Sequence, residues 1–106
     1  MIKAATSFIA FLIVAPVGSE TINVRGQGAV DLDTFECRDI NRSSIVQRVC
    51  YDRAERHLIV AVKGVYDQYC DLPAETFDAL MGAPSMGHFF NRNIRGASGA
   101  RFTCQN

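Results

Sequence analysis

Cys37, Cys50, Cys70 and Cys104 are the residues with the widest chemical range in this chain. Four cysteines can hold a zinc ion, supply a reactive thiol or close two disulfides. Structural zinc sites use closely spaced ligand pairs of the Cys-x-x-Cys kind, whereas these four are far apart, and neither His57 nor His88 stands at ligand spacing from any of them. A catalytic thiol needs a cysteine left over, and two bridges leave none. A disulfide framework fits an even count in an exported chain. Other chemistry is sparse. Asp31, Asp33 and Glu36 lack the spacing of a calcium loop and read as a solvated acidic arm. His57 sits in a polar turn, and His88 sits beside Phe89 on a short helix; both read as exposed. There is no Gly-x-Ser-x-Gly elbow, phosphate loop or His-Glu-x-x-His helix. These observations imply no catalytic residue, metal or cofactor.

The export reading rests on the first 19 residues. Met1 and Lys3 make a short basic start, and the stretch from Ala4 to Val17 carries no charge, with Phe8, Ile9, Phe11, Leu12, Ile13 and Val14 as its apolar body. Pro16 ends that run and Val17-Gly18-Ser19 provides small residues, the layout of a secretory signal. Cleavage is expected after Ser19, with Ala15 as the alternative. A transmembrane anchor needs about 18 or more apolar residues, so no membrane span is expected once the signal is removed. The expected location is secreted or periplasmic, in a bacterial setting.

The chain has 11 basic and 11 acidic side chains; without Lys3 the mature part is close to neutral. A general nucleic-acid binder needs a cationic surplus. The charge is uneven, however: every acidic residue lies at or before Asp78, and Arg92, Arg95 and Arg101 follow it.

Elements positioning these residues follow from periodicity. Residues 20–42 read as an extended arm with at most a short strand around Ala29 to Phe35. Ile45 to Tyr51, Leu58 to Lys63 and Val65 to Cys70 read as three strands, with Leu58, Val60 and Val62 in phase and Gly64 at a corner. Pro73 stops the sheet and starts a helix over Ala74 to Met81, with Phe77, Leu80 and Met81 on one face. Ser85 caps a second short helix carrying Met86, Phe89 and Phe90. The expected fold is α+β: a three-stranded antiparallel meander, then two short helices packed on one face, with disulfide-stapled arms. The divisions are 1–19 signal, 20–42 arm, 43–97 domain and 98–106 tail.

The meander restricts the cysteine pairing. Its first and third strands lie about 9–10 Å apart, beyond the roughly 7 Å that a disulfide spans, so Cys50 does not pair with Cys70. Two arrangements remain: Cys37–Cys50 with Cys70–Cys104, or Cys37–Cys70 with Cys50–Cys104. Alternation places both strand cysteines away from Val49, Tyr51 and Tyr69, so the arms are expected across a bare back of the sheet.

Ser43-Ser44-Ile45, Val49-Cys50-Tyr51-Asp52, Leu58-Ile59-Val60, Gly64, Tyr69, Leu72-Pro73 and above all Ser85-x-Gly87-x-Phe89-Phe90-Asn91-x-x-Ile94-Arg95 resemble the KTSC domain. That family is named for the C-terminal end of certain lysyl-tRNA synthetases and also occurs as small stand-alone bacterial proteins. The resemblance covers about Ser43 to Gly96. Its Tyr-x-Tyr signature falls on Asp67 and Tyr69, so the first ring is missing unless Tyr66 takes its place by a local shift. RNA binding, suggested for the family from its synthetase setting, would use Tyr66 or Tyr69 for stacking and Arg92, Arg95 and Arg101 for phosphates. Export disfavours nucleic acid as the partner. The expected activity is therefore that of a non-catalytic binding or accessory module for a protein, peptide or envelope component, with Tyr66, Tyr69, Arg92, Asn93 and Arg95 as candidate contacts. RNA binding and an enzyme of unrecognised type are the alternatives.

Overall fold

A computed structural model describes residues 20–105; the expected signal and its expected cleavage after Ser19 lie outside the described residues. The chain forms β1 (Thr21–Val24), β2 (Gly28–Asp31), β3 (Glu36–Asp39), β4 (Val46–Asp52), β5 (His57–Val62), β6 (Val65–Tyr69), α1 (Ala74–Gly82) and α2 (Met86–Phe90). The expected meander is its centre: β4 pairs with β5 and β5 with β6, all antiparallel. A two-residue loop at Lys63-Gly64, with φ of 53° and 79°, joins β5 to β6 below the Val62–Val65 pair. Positive φ at both central positions is the turn geometry that matches strand twist.

The arm departs from expectation. It builds three further strands, giving a six-stranded mixed sheet in the order β2-β1-β6-β5-β4-β3. Only the β1–β6 contact is parallel, through Val24 and Tyr66. β2 and β3 occupy opposite edges, yet only Leu32–Phe35 separates them. A flat six-stranded sheet would set its edges about 24 Å apart, and five residue steps reach only about 17 Å. The sheet must therefore curl, bringing its edges together behind β4 and β5.

That curl fills the back of the sheet. Ile22, Val24 and Leu32 from the arm meet Cys50 and Ile59 in a second apolar core, so the back is not bare. β4 and β5 are consequently buried on both faces. On the other face Val49, Tyr51, Leu58 and Val60 pack with Phe77, Leu80, Met86, Phe90 and Ile94. Tyr51 lies flat on Phe77 with ring centroids 4.4 Å apart, and its hydroxyl donates to the Leu72 carbonyl at 2.6 Å. Pro73 stands at the N-cap of α1, one residue before the first turn. The tail also contributes, because Phe102 buries its ring in the helix-side core.

The two disulfides are Cys37–Cys50 and Cys70–Cys104, the first of the two arrangements left open above. Cys37 lies directly opposite Cys50 in the β3–β4 ladder. Cys70 follows the end of β6 and takes its partner from the tail.

Asp52 closes the β4–β5 turn and is the one buried charged residue among those described. Its carboxylate accepts the Thr34 hydroxyl at 2.7 Å and the amides of Ala54 and Glu55 at 3.1 and 3.2 Å. The Thr34 hydrogen bond, helped by those amides, holds its pKa below the ordinary aspartate value despite burial. A lowered folded-state pKa stabilises the protein above the unfolded-state value, and that contribution is lost as pH falls through the folded-state value. Asp52→Asn should therefore cost about 1–2 kcal/mol at pH 7. In urea unfolding, the gap between variant and parent should narrow from about pH 5 downward; a gap unchanged at low pH would assign the loss to shape rather than charge.

Candidate functional site

The segment after α1 is built to expose a short run of side chains. Arg42 reaches across from the start of the domain and donates to the carbonyls of Met81 and Ala83 at 2.7 and 3.0 Å. This ties down the C-terminal end of α1, where carbonyls lack helical partners. Ser85 then caps α2, accepting from the His88 amide at 3.3 Å. Gly87 lets α2 pack closely on Ile45: a Cβ there would stand 2.9 Å from Ile45 Cδ1 and 3.2 Å from its Cβ, so the isoleucine would have to shift.

α2 runs directly into a π-turn over Asn91–Arg95, closed by the Gly96 amide donating to the Asn91 carbonyl at 2.9 Å. Such wide turns are rare and recur at functional sites. Here the wide turn buries Ile94 and leaves Arg92, Asn93 and Arg95 exposed. Asn93 Nδ2 donates to the Phe89 carbonyl at 3.3 Å. Arg95 donates to Asn91 Oδ1 and lies over the Phe90 ring, 5.2 Å from its centroid.

Two adjoining hollows share Phe89, Arg92 and Asn93. One, of about 490 Å³, extends toward Thr76, Ala79 and Arg101. The other, of about 340 Å³, extends toward Pro84, Ser85 and His88. Phe89 is half-buried between them, and Arg92 Nη1 lies 3.5 Å from His88 Nε2. Glu75 lines the larger hollow. Among the described residues, no carboxylate is within salt-bridge distance of Arg92, Arg95 or Arg101. Arg25, Arg38, Arg48 and Arg53 all have such partners.

The candidate contacts thus divide. Arg92 and Asn93 share this groove, while Arg95 folds back over Phe90. Tyr69 meets Phe90 edge-on, with centroids 5.7 Å apart, and burial pushes its phenol pKa up. Tyr66 is on the other face of β6, packed against the second core, where its hydroxyl accepts from Arg48 at 3.3 Å. It therefore does not replace the missing signature ring. Asp67, at the signature position, binds Arg25 through both oxygens at 2.7 and 2.6 Å. Phe89 and the π-turn were not singled out from the residues, since Phe-Phe beside a cap reads as core.

His57 also departs from expectation. It is the first residue of β5, half-buried, with Nε2 2.8 Å from Gln68 Oε1 and its ring edge-on to Phe35. A ring nitrogen and the sulfurs of Cys70 and Cys104 lie within 4.8 Å of one another. The signal was alternation: His57 shares a strand face with Ile59, and Cys70 shares one with Gln68. Linear spacing could not reveal that the β5–β6 register brings the two together.

A capped α2, a π-turn and the Tyr51–Phe77 stack define a small α+β domain. The family model of the KTSC domain matches residues 42–97, and the chain belongs to that family. It is similar to the crystal structure of a KTSC domain protein from Yersinia pestis, with a TM-score of 0.55 and 25% sequence identity over 68% of this chain and 96% of that one. No curated protein matches the chain. Among the described residues, no helix is long and apolar enough to cross a membrane.

Gly96 should be the sensitive point of the π-turn, because a Cβ there would stand 2.5 Å from the Asn91 carbonyl oxygen. Gly96→Ala is expected to cost about 1–3 kcal/mol and to speed hydrogen exchange of the residue-96 amide. Gly82→Ala, facing open space, serves as the control and should unfold at or above the parent's urea midpoint. Equal stability of the two variants would show that the turn is not strained by a side chain at 96.

Proposed function

We infer that this chain is a non-catalytic binding module acting outside the cytoplasm, released from its signal near Ser19, and that the groove over Phe89, Arg92 and Asn93 receives a protein or peptide partner. The observation carrying this reading is the half-buried Phe89 ring beside two cations that form no ion pair among the described residues, although Glu75 lines the same hollow. Phe89 offers a half-buried ring, while Arg92 and Arg101 border the larger hollow without the carboxylate partners that most other arginines have. Aromatic residues and arginine are enriched at protein interfaces. An acidic side chain or a terminal carboxylate would complete the charge, with arginine able to hold it through two parallel hydrogen bonds. Two disulfides suit an oxidising compartment.

The two tyrosines that the nucleic-acid reading relies on are not available for it. Stacking a base requires an open aromatic face, and Tyr69 and Tyr66 are both occupied by internal contacts.

Mild crosslinking of the mature chain to an envelope fraction tests this reading. The parent should recover a defined partner, and Arg92→Glu should weaken its capture about tenfold or more, a change of about 1.4 kcal/mol, without altering the unfolding midpoint. Recovery of the monomer alone would sink the proposal. RNA retention that weakened steeply with salt would replace it with the nucleic-acid reading.

A further inference from the structure

The cluster of His57, Cys70 and Cys104 is independent of the groove. We propose that the Cys70–Cys104 disulfide is the oxidised form of a zinc(II) site: once reduced, its two sulfurs and a ring nitrogen of His57 bind the ion, with a fourth position left to solvent.

The geometry is close to what the ion requires. With Zn–S distances of about 2.3 Å and Zn–N of about 2.0–2.1 Å, tetrahedral ligand atoms lie roughly 3.5–3.8 Å apart. A His57 ring nitrogen lies within 4.8 Å of both sulfurs, which the disulfide joins to each other. Reduction lets the sulfurs separate to that spacing, and the backbone permits it. Cys70 and Cys104 both lie outside any helix or strand, so neither has to break a ladder to move. Gln68 Oε1 holds His57 Nε2 at 2.8 Å, which leaves Nδ1 as the ligand and makes Gln68 an outer contact of the kind that fixes metal-binding imidazoles. Access exists too: a hollow of about 220 Å³, lined by Arg25, Gln68, Tyr69 and Thr103, opens on Cys104.

The other disulfide provides an internal contrast. Cys50 is fully buried, walled in by Ile22, Val24, Leu32 and Ile59. The histidine cluster does not include it. Cys37 is half-buried, as are Cys70 and Cys104, so what sets Cys70–Cys104 apart is the neighbouring histidine. The reaction balances with a dithiol donor, which gives two electrons and two protons to the disulfide and becomes a disulfide itself. Zinc then displaces the two thiol protons. The ion would replace one staple with another, keeping Phe102 and the tail on the domain in either redox state.

The test uses the mature chain, reduced mildly with a phosphine. The phosphine becomes its oxide with oxygen from water and leaves two thiols. Titration with cobalt(II) should give a sulfur-to-metal charge-transfer band that saturates at one equivalent and is bleached by zinc(II). The oxidised chain should give none. Mass mapping after alkylation should find Cys70 and Cys104 modified, with zinc slowing both at least about tenfold. His57→Ala should weaken zinc binding by about tenfold or more. A His57→Ala titration superimposable on the parent's would overturn the proposal. So would a band that persists in Cys70→Ser/Cys104→Ser, or the absence of any one-to-one band after reduction.

Discussion

Tyr51 is where the two layers of this protein become one. Its ring lies on Phe77 of α1, and its hydroxyl donates to the Leu72 carbonyl just before that helix. A buried phenol without a partner would carry a desolvation penalty; here it is satisfied by a backbone group whose position then cannot vary. The same ring therefore fixes both the depth of α1 and the point where the chain leaves the sheet. Arg53 covers the outer edge of the stack, 5.4 Å from the Phe77 centroid, and pairs with Asp78 on the helix at 3.0 Å. Because α1 forms one wall of the larger hollow, the groove depends on a contact it does not touch.

The sheet is organised around β4 and β5, buried on both sides by different parts of the chain. The family domain and Phe102 of the tail supply the helix-side core, and the arm packs Ile22, Val24 and Leu32 on Cys50 and Ile59 in the other. Cys37 and Cys104 both lie outside the family span, and each is bonded to a cysteine inside it. The disulfides consequently join the flanking segments to the shared domain and leave the shared domain itself without an internal bridge. Small domains gain little from their cores alone, and here the added segments bring both covalent ties and extra apolar area.

Much of the central fold was legible because it obeys simple periods. Leu58, Val60 and Val62 alternate, Lys63-Gly64 marks a hairpin, and Pro73 and Ser85 punctuate the helices. The arm was harder to read, as its strands have four residues each and only two apolar positions, Ile22 and Val24, that alternate. Their burial is decided by the curl of the sheet, a long-range property. The candidate site was half legible. Arg92 and Asn93 stood out by type, but Phe89 was hidden in an apolar pair. The π-turn has no sequence signal beyond Gly96, and a small residue there is equally compatible with an ordinary helix stop.

Tyr66 and Tyr69 show why residue type alone misleads on a strand. They are three residues apart, an odd step, so the pleat sends them to opposite faces. Tyr66 joins the arm's core and Arg48, which also binds Glu20 through two hydrogen bonds at 2.7 Å. Tyr69 joins the helix-side core. The family's paired positions, Asp67 and Tyr69, are two apart and share a face, yet Asp67 here is engaged by Arg25 from just beyond β1. The aspartate thus helps hold the parallel β1–β6 junction, which a tyrosine could not do by charge. At the position where the resemblance places a ring, this chain therefore carries an exposed ion pair to the arm, added to the Cys37–Cys50 bridge and the second core that already hold it.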